Sequence, residues 1–294
     1  RMKNKLSLFA VPYVGWMSIF VVAPIIIMVV YAFSTAAGDF TLENFARMGT
    51  YTAVFTRSFK LAIIATLIAL LIGYPVSYML SKEGPQVQRI AMVLIMLPMW
   101  MNFLLRTYSW MSILENNGLL NQLFQQIGLI DLYNQIAMHF ASDPAAYVPI
   151  DHFQMIGTQG AVVLGMVYNY LPFMILPIYS VLVKLDHSLI EAARDLGASS
   201  VQVFRKVILP LSLPGVLSGI TMVFVPSVST FAISRLLGGG TQMMLGDLIE
   251  QQFLGGAYNP QLGAAIALVM MAIVVVCMLV MNRFGDGEEQ AVML

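Results

Sequence analysis

The chain has 294 residues, of which 59% are hydrophobic and 10% charged, and its mean hydropathy is +0.81. Because soluble globular proteins carry roughly 25% charged residues, this composition excludes a soluble globular protein. Lysine plus arginine equals aspartate plus glutamate at 15 each, which gives no electrostatic reason to expect nucleic-acid binding. The single cysteine, Cys277, excludes an intrachain disulfide. We therefore expect an integral membrane protein.

Six apolar stretches are long enough to cross a bilayer, which needs about 20 apolar residues in a helix. They lack the alternating polarity of β-barrel strands, so the predicted fold is all-α, a single transmembrane domain over residues 1–294. In chain order the predicted spans are residues 6–33, 61–80, 90–113, 161–183, 207–228 and 263–281.

The first stretch follows Arg1, Lys3 and Lys5 and could be mistaken for a signal peptide. It is too long for one, and no small-residue cleavage site follows a short apolar core. We therefore expect a retained span.

The basic residues predict the orientation, because cytoplasmic loops carry an excess of lysine and arginine. With the N-terminus inside, ten basic residues fall in inner segments and five in the longer outer segments, so both termini are predicted to be cytoplasmic. The inner residues are Arg1, Lys3, Lys5, Lys82, Arg89, Lys184, Arg194, Arg205, Lys206 and Arg283. The outer residues are Arg47, Arg57, Lys60, Arg106 and Arg235.

Two outer loops are long enough to have structure of their own. Residues 114–160 are predicted to contain a short interfacial helix at 118–128. Residues 229–262 mix apolar and polar side chains, which suits a loop that dips back into the bundle, where irregular backbone must be buried in protein or face water. The external acids nearest the spans could attract a cation or simply be solvated; they are Glu115, Asp247 and Glu250.

The sequence contains none of the common motifs of enzyme active sites or metal sites. It contains no phosphate-binding loop, no nucleophile elbow and no metal-ligand spacing, since His139, His152 and His187 stand alone. We expect no enzymatic activity and no cofactor in this chain.

The inner segment 184–206 shows unusual local order. Ser188 with Glu191, and Ser199 with Gln202, each have the spacing of a capping box that begins a helix.

Gly197 lies between the two caps and can end the first helix in a left-handed turn. We expect two short helices that meet at a bend, with Ala192 and Ala193 giving the first helix a flat side for another protein. The alternative is an ordinary polar connection between spans.

This segment contains a spaced motif. Its residues are Glu191, Ala192, Ala193, Gly197, Val207, Leu209 and Pro210. The motif resembles the "EAA loop" of ABC importer permeases, which is Glu-Ala-Ala, three residues, Gly, nine residues and Ile-x-Leu-Pro. Val207 in place of isoleucine is the only departure.

The resemblance implies a type I (MetI-like) permease fold. It also implies a companion permease, an external substrate-binding protein, and two cytoplasmic ATPase subunits that bind ATP and Mg²⁺. The loop would form a coupling helix that docks into a groove of the ATPase. The coupling residues implied are Ser188, Glu191, Ala192, Ala193, Asp195, Gly197, Ser199, Leu209 and Pro210.

Further segments resemble the spermidine/putrescine permeases of that family, which work with a second, related permease. The matching segments are residues 71–82, 97–108, 165–177 and 237–239. Two alternatives stay open. One is a permease for another small solute, such as an aminophosphonate. The other is a stand-alone secondary carrier, although the sequence shows neither an obvious repeat nor the mid-span acid that carriers often have.

The translocation path is predicted from polar and aromatic residues within the spans. Asn102 and Arg106 are four residues apart and would share a helix face. Arg106 lines the path, or it anchors at the outer interface with its guanidinium in water. Trp100, Tyr108 and Trp110 form an aromatic wall that attracts ammonium groups. For Tyr108 and Trp110 the alternative is an interfacial aromatic belt. The candidate path residues are Trp100, Asn102, Arg106, Tyr108, Asn169 and Phe231.

Overall fold

The computed structural model describes residues 11–140 and 147–292, and nearly all of the ordered elements in these ranges are helices. The helices are α1 (Val11–Ala32), α2 (Glu43–Arg47), α3 (Thr52–Ser81), α4 (Pro85–Trp100), α5 (Phe103–Leu114), α6 (Leu119–Gln126), α7 (Leu129–Phe140), α8 (Gln159–Leu182), α9 (His187–Asp195), α10 (Ser200–Val203), α11 (Leu209–Ser229), α12 (Ala232–Leu237), α13 (Leu245–Leu254) and α14 (Pro260–Val292). The all-α prediction is confirmed. Residues 6–10 of the first predicted span lie outside the described residues.

Five helical stretches are long and apolar enough to cross a membrane, and a bent pair supplies a sixth. The five are α1, the continuous stretch from α2 through α3, α8, the continuous stretch from α10 through α11, and Pro260–Met281 of α14. A π-helical turn at Phe204–Ile208 joins α10 to α11. The second span is longer than predicted, because α3 begins at Thr52, ahead of its apolar stretch.

The third predicted span, residues 90–113, is not one helix. The chain bends by 91° between α4 and the helices that follow it. The backbone is extended at Met101, and the Asn102 side chain accepts a hydrogen bond from the Leu104 amide at 2.9 Å. Because an asparagine that caps one helix also interrupts the one before it, hydropathy alone could not reveal this break. The prediction that Asn102 and Arg106 share the face of one helix is therefore wrong, since Asn102 precedes α5.

Helices α3, α8 and α11 pack most extensively on one another and form the centre of the bundle. A methyl group built on Gly215 of α11 would lie 2.8 Å from the carbonyl oxygen of Pro177 in α8, so these two backbones are in direct contact. Ser77 of α3 donates to the Ile175 carbonyl at 3.1 Å. Small residues and interhelical hydrogen bonds of this kind hold membrane helices together.

The two long connections contain more helix than predicted. Helix α6 confirms the expected helix near residues 118–128, whereas α7 was not predicted. The predicted in-dipping loop folds as α12 and α13, whose Ile233, Leu237 and Leu245 side chains are fully buried. Helix α1 packs on α14 at the edge of the bundle.

Candidate functional site

The segment 184–206 forms two short helices at one end of the bundle, which we call the loop end. The first helix, α9, is capped by Asp186, whose side chain accepts a hydrogen bond from the Ser188 amide at 2.9 Å. The predicted Ser188–Glu191 capping box is therefore wrong, because an aspartate two residues earlier satisfies the first free amide. Ser188 and Glu191 are both exposed on α9.

The second cap and the bend are confirmed. Ser199 and Gln202 form a reciprocal capping box at the start of α10, with the Ser199 amide donating to Gln202 Oε1 at 2.8 Å. Gly197 has a φ of +83°, a conformation that costs a side-chain-bearing residue about 1–2 kcal/mol. The bend between the helices thus depends on glycine.

One side of the 184–206 segment packs on the bundle and the other is exposed. Phe204 contacts the rings of Tyr74 and Tyr78 edge-on, with centroids 5.9 and 5.5 Å apart. Ala193 also packs inward, so of the two alanines predicted to face a partner only Ala192 is exposed. Leu196, which the sequence analysis did not select, is 90% exposed between the helices.

The remaining residues implied for coupling lie at the edges of this segment. Asp195 ends α9 and is exposed, while Leu209 and Pro210 begin α11, where the loop joins the bundle. The segment therefore packs on the bundle with one side and presents an ordered, partly apolar surface on the other, as docking to another protein requires.

A second candidate site lies where α5, α8 and the start of α12 meet, and we call it the junction. The Arg106 side chain is buried there, with 7% of its surface exposed. Its Nε and Nη1 atoms have no hydrogen-bond partner, and within residues 11–140 and 147–292 no ion pair includes it. The expectation that its guanidinium reaches water is therefore wrong. A buried cation without a partner is costly, which makes Arg106 a candidate functional residue.

Tyr170 and Thr230 complete the junction around Arg106. The Tyr170 hydroxyl interacts with the Thr230 side chain and lies close enough to Arg106 to interact with its charge. Thr230 is buried at the break between α11 and α12, and the sequence analysis missed it because threonine in an apolar segment gives no signal.

Asn169 lies beside the junction on α8. Its amide donates to the Gly165 carbonyl at 2.8 Å, while its Oδ1 atom is buried without a partner. A methyl group built on Gly165 would lie 2.4 Å from Leu237 in α12, so this face of α8 is in close contact with α12.

The other predicted path residues are not part of the junction. Trp100 ends α4 and Tyr108 lies on α5, and both side chains are exposed in the single chain. Phe231 precedes α12 and is also exposed. Asn102 caps α5 and is also exposed. Lining of the path by these residues stays a prediction.

A cluster of charged residues connects α12 to α13 at the end of the bundle opposite the loop end. Asp247 Oδ2 accepts hydrogen bonds from Ser234 Oγ at 2.5 Å and from the Met244 amide at 2.9 Å. Burial raises the pKa of the Asp247 carboxyl above its ordinary value, against the opposing effect of these hydrogen bonds. Arg235 forms a salt bridge with Glu250. Ser234 was not selected from the sequence.

Comparison with known families identifies the type of protein. Residues 69–287 match the family described as "Binding-protein-dependent transport system inner membrane component". The spermidine/putrescine transport system permease protein PotB of Escherichia coli K12 is 35% identical over 281 residues, covering 93% of this chain and 95% of the relative. The Haemophilus influenzae protein of that name is 35% identical over 272 residues, covering 89% and 88%.

Solved structures agree on the fold. A bacterial ABC transporter chain involved in alginate import superposes with a TM-score of 0.76 at 16% identity, covering 97% of this chain and 96% of that one. A chain of the MetNI methionine ABC transporter gives 0.58 at 18% identity, covering 83% and 98%. Together with the family match, the whole-length relatives exclude the alternative of a stand-alone carrier. The chain belongs to the binding-protein-dependent transport system inner membrane component family and is the non-enzymatic membrane permease subunit of a type I ABC importer.

Proposed function

We propose that this permease imports spermidine and putrescine. The observation that carries the proposal is the identity of 34–35% over 281 residues, 93% of this chain, to spermidine/putrescine permeases from two organisms. Because the match covers 93% of this chain, it includes the junction as well as the 184–206 segment.

The proposed orientation places both termini and the 184–206 segment in the cytoplasm. The distribution of ten basic residues against five supports this side. The segment docks on a cytoplasmic ATPase subunit through Ala192 and Leu196, because an exposed leucine on an ordered turn is suited to an apolar groove.

The remaining parts of the importer are separate proteins. A second, related permease completes the path, and an extracytoplasmic binding protein delivers the polyamine. Two copies of the ATPase bind ATP and Mg²⁺, and no cofactor belongs to this chain.

Reconstitution of the complete importer tests the substrate. ATP hydrolysis that depends on the binding protein should rise on addition of spermidine or putrescine. N,N′-Diacetylputrescine, which lacks both ammonium charges, serves as the control. Stimulation by an aminophosphonate without any response to polyamines would overturn the proposal.

Thiol labelling tests the orientation. In a Cys277→Ala background, His152→Cys should react with an impermeant thiol reagent on whole cells. Reaction only after lysis would place residue 152 in the cytoplasm and remove the 184–206 segment from the side of the ATPase.

A further inference from the structure

A small cavity lies between α12 and α13 beside the buried carboxylate of Asp247. Its volume is about 40 Å³, and its lining comprises Ser234, Arg235, Gly240, Met243, Asp247 and Gln251. A single water occupies about 30 Å³ in the liquid, so the cavity can hold one small polar group and not a whole polyamine.

Asp247 brings an unsatisfied acceptor to this cavity. The residue is 4% exposed, and its Oδ2 atom already accepts from Ser234 and Met244. Its Oδ1 atom is buried with no hydrogen-bond partner. Neither protonation state removes the deficit, because a neutral carboxyl would carry a hydroxyl that also needs a partner. A buried polar atom of this kind generally has a ligand or water to satisfy it.

The surrounding charges favour a cation. Asp247 and Glu250 contribute two negative charges and Arg235 contributes one positive charge. Arg235 and Glu250 form a salt bridge with each other. The carboxylate of Asp247 is left without a cation in contact. One monovalent cation that donates hydrogen bonds would neutralise the cluster and satisfy Oδ1.

We propose that this cavity, which we call the Asp247 pocket, binds a primary ammonium group of the transported amine. The inference rests on the proposed polyamine substrate and deepens it by assigning a site to one end of the molecule. The ammonium donates to Asp247 Oδ1, and the alkyl chain extends out of the pocket, since only the terminal group fits. Binding in the Asp247 pocket is non-covalent.

Protection from amide hydrogen exchange tests the binding directly. In the purified importer complex, hydrogen exchange of the Met244 amide, which donates to Asp247 Oδ2, should slow when an ammonium group binds this carboxylate, as detected by peptide mass spectrometry. Putrescine, spermidine and propylamine should each slow the exchange, because each has a primary ammonium group. N,N′-diacetylputrescine, which has the same chain without the charge, should not. Equal exchange rates with all of these compounds would overturn the proposal.

Transport by variants supplies the second readout. Asp247→Asn keeps the size of the side chain and an oxygen for Ser234, yet removes the charge, so polyamine-stimulated transport should fall about tenfold, as for loss of a charge-assisted hydrogen bond. Glu43→Gln is the matched control, because it neutralises an exposed acid in a separate ion pair with Arg47 and should leave transport unchanged. Equal transport by Asp247→Asn and the wild type would overturn the proposal.

The outcomes separate this inference from the proposed function. If the wild type transports polyamines while the Met244 amide is not protected, the proposed ammonium site is wrong and the proposed function stands. If alkylamines protect the Met244 amide but polyamines do not drive transport, the proposed function is wrong and the ammonium site stands. If Asp247→Asn weakens only the affinity for the binding protein and amines give no protection, the pocket receives a lysine of that partner and the proposal is wrong.

Discussion

The 184–206 segment and the junction are both candidate sites, but the first depends on residues close together in the sequence and the second on residues far apart. The segment is exposed, and its helices begin and turn at residues whose hydrogen-bond partners lie within a few positions in the chain, as at Ser199 and Gly197. The junction brings together Arg106, Tyr170 and Thr230 from three distant parts of the sequence and buries them. Substitutions in the first should disturb a local turn and its docking, whereas substitutions in the second should change the stability of the bundle.

The largest expected effect is overpacking beside the junction. Gly165→Leu should destabilise the protein by about 3 kcal/mol, the upper end for overpacked cores, because a methyl group there already meets Leu237 and Ile233. Gly160→Leu, on an exposed turn of the same helix, should have little effect. Thermal unfolding in detergent compares the two. Equal melting temperatures would show that α12 is free to move away from α8.

Removal of the Arg106 charge should stabilise the protein instead of destabilising it. Arg106→Met should stabilise the bundle by about 1–3 kcal/mol, because it replaces a buried group whose Nε and Nη1 donors have no partners with an apolar one of similar length. Polyamine uptake should fall at the same time. Arg106→Lys, which keeps the charge, should give no gain in melting temperature. A loss of stability in the methionine variant would mean that Arg106 has acceptors in the assembled importer.

In the 184–206 segment, the strained turn is the most sensitive point. Gly197→Val should cost about 1–2 kcal/mol locally and redirect α10, while the spans insert at normal levels. The ATPase should dissociate more readily from the purified permease, and stimulated hydrolysis should be lost. Gly197→Asn is the control, because asparagine tolerates this conformation. Normal retention of the ATPase by the valine variant would contradict a coupling role.

The smallest effect distinguishes the observed helix cap from the predicted one. Asp186→Ala should remove about 1 kcal/mol from the start of α9, which corresponds to about fivefold faster amide hydrogen exchange in its first turn. Ser188→Ala should leave exchange unchanged, since the Ser188 side chain does not cap α9. The reverse result would restore the capping box inferred from the sequence.

The sequence-based predictions are correct where structure depends on nearby residues and wrong where it depends on distant ones. Apolar runs, the cap at Ser199 and the turn at Gly197 depend on nearby residues, so the sequence predicted them. The break at Asn102 failed because its neighbours on both sides are apolar and a hydropathy pattern does not register a cap. The burial of Arg106 and the pairing of Ser234 with Asp247 depend on the placement of α12, which only the packed structure reveals.

The direct backbone contact between α8 and α11 at Gly215 has a mechanical consequence. The 184–206 segment joins these two helices, so a force applied to it cannot be absorbed by sliding one past the other, and Ser77 ties α3 to the same block. The three helices should turn together as a lever. Helix α11, with 21 residues, is about 32 Å long, so a tilt of about 10° at the loop end would move its far end by about 5 Å. That end adjoins Thr230 and α12, where the junction lies.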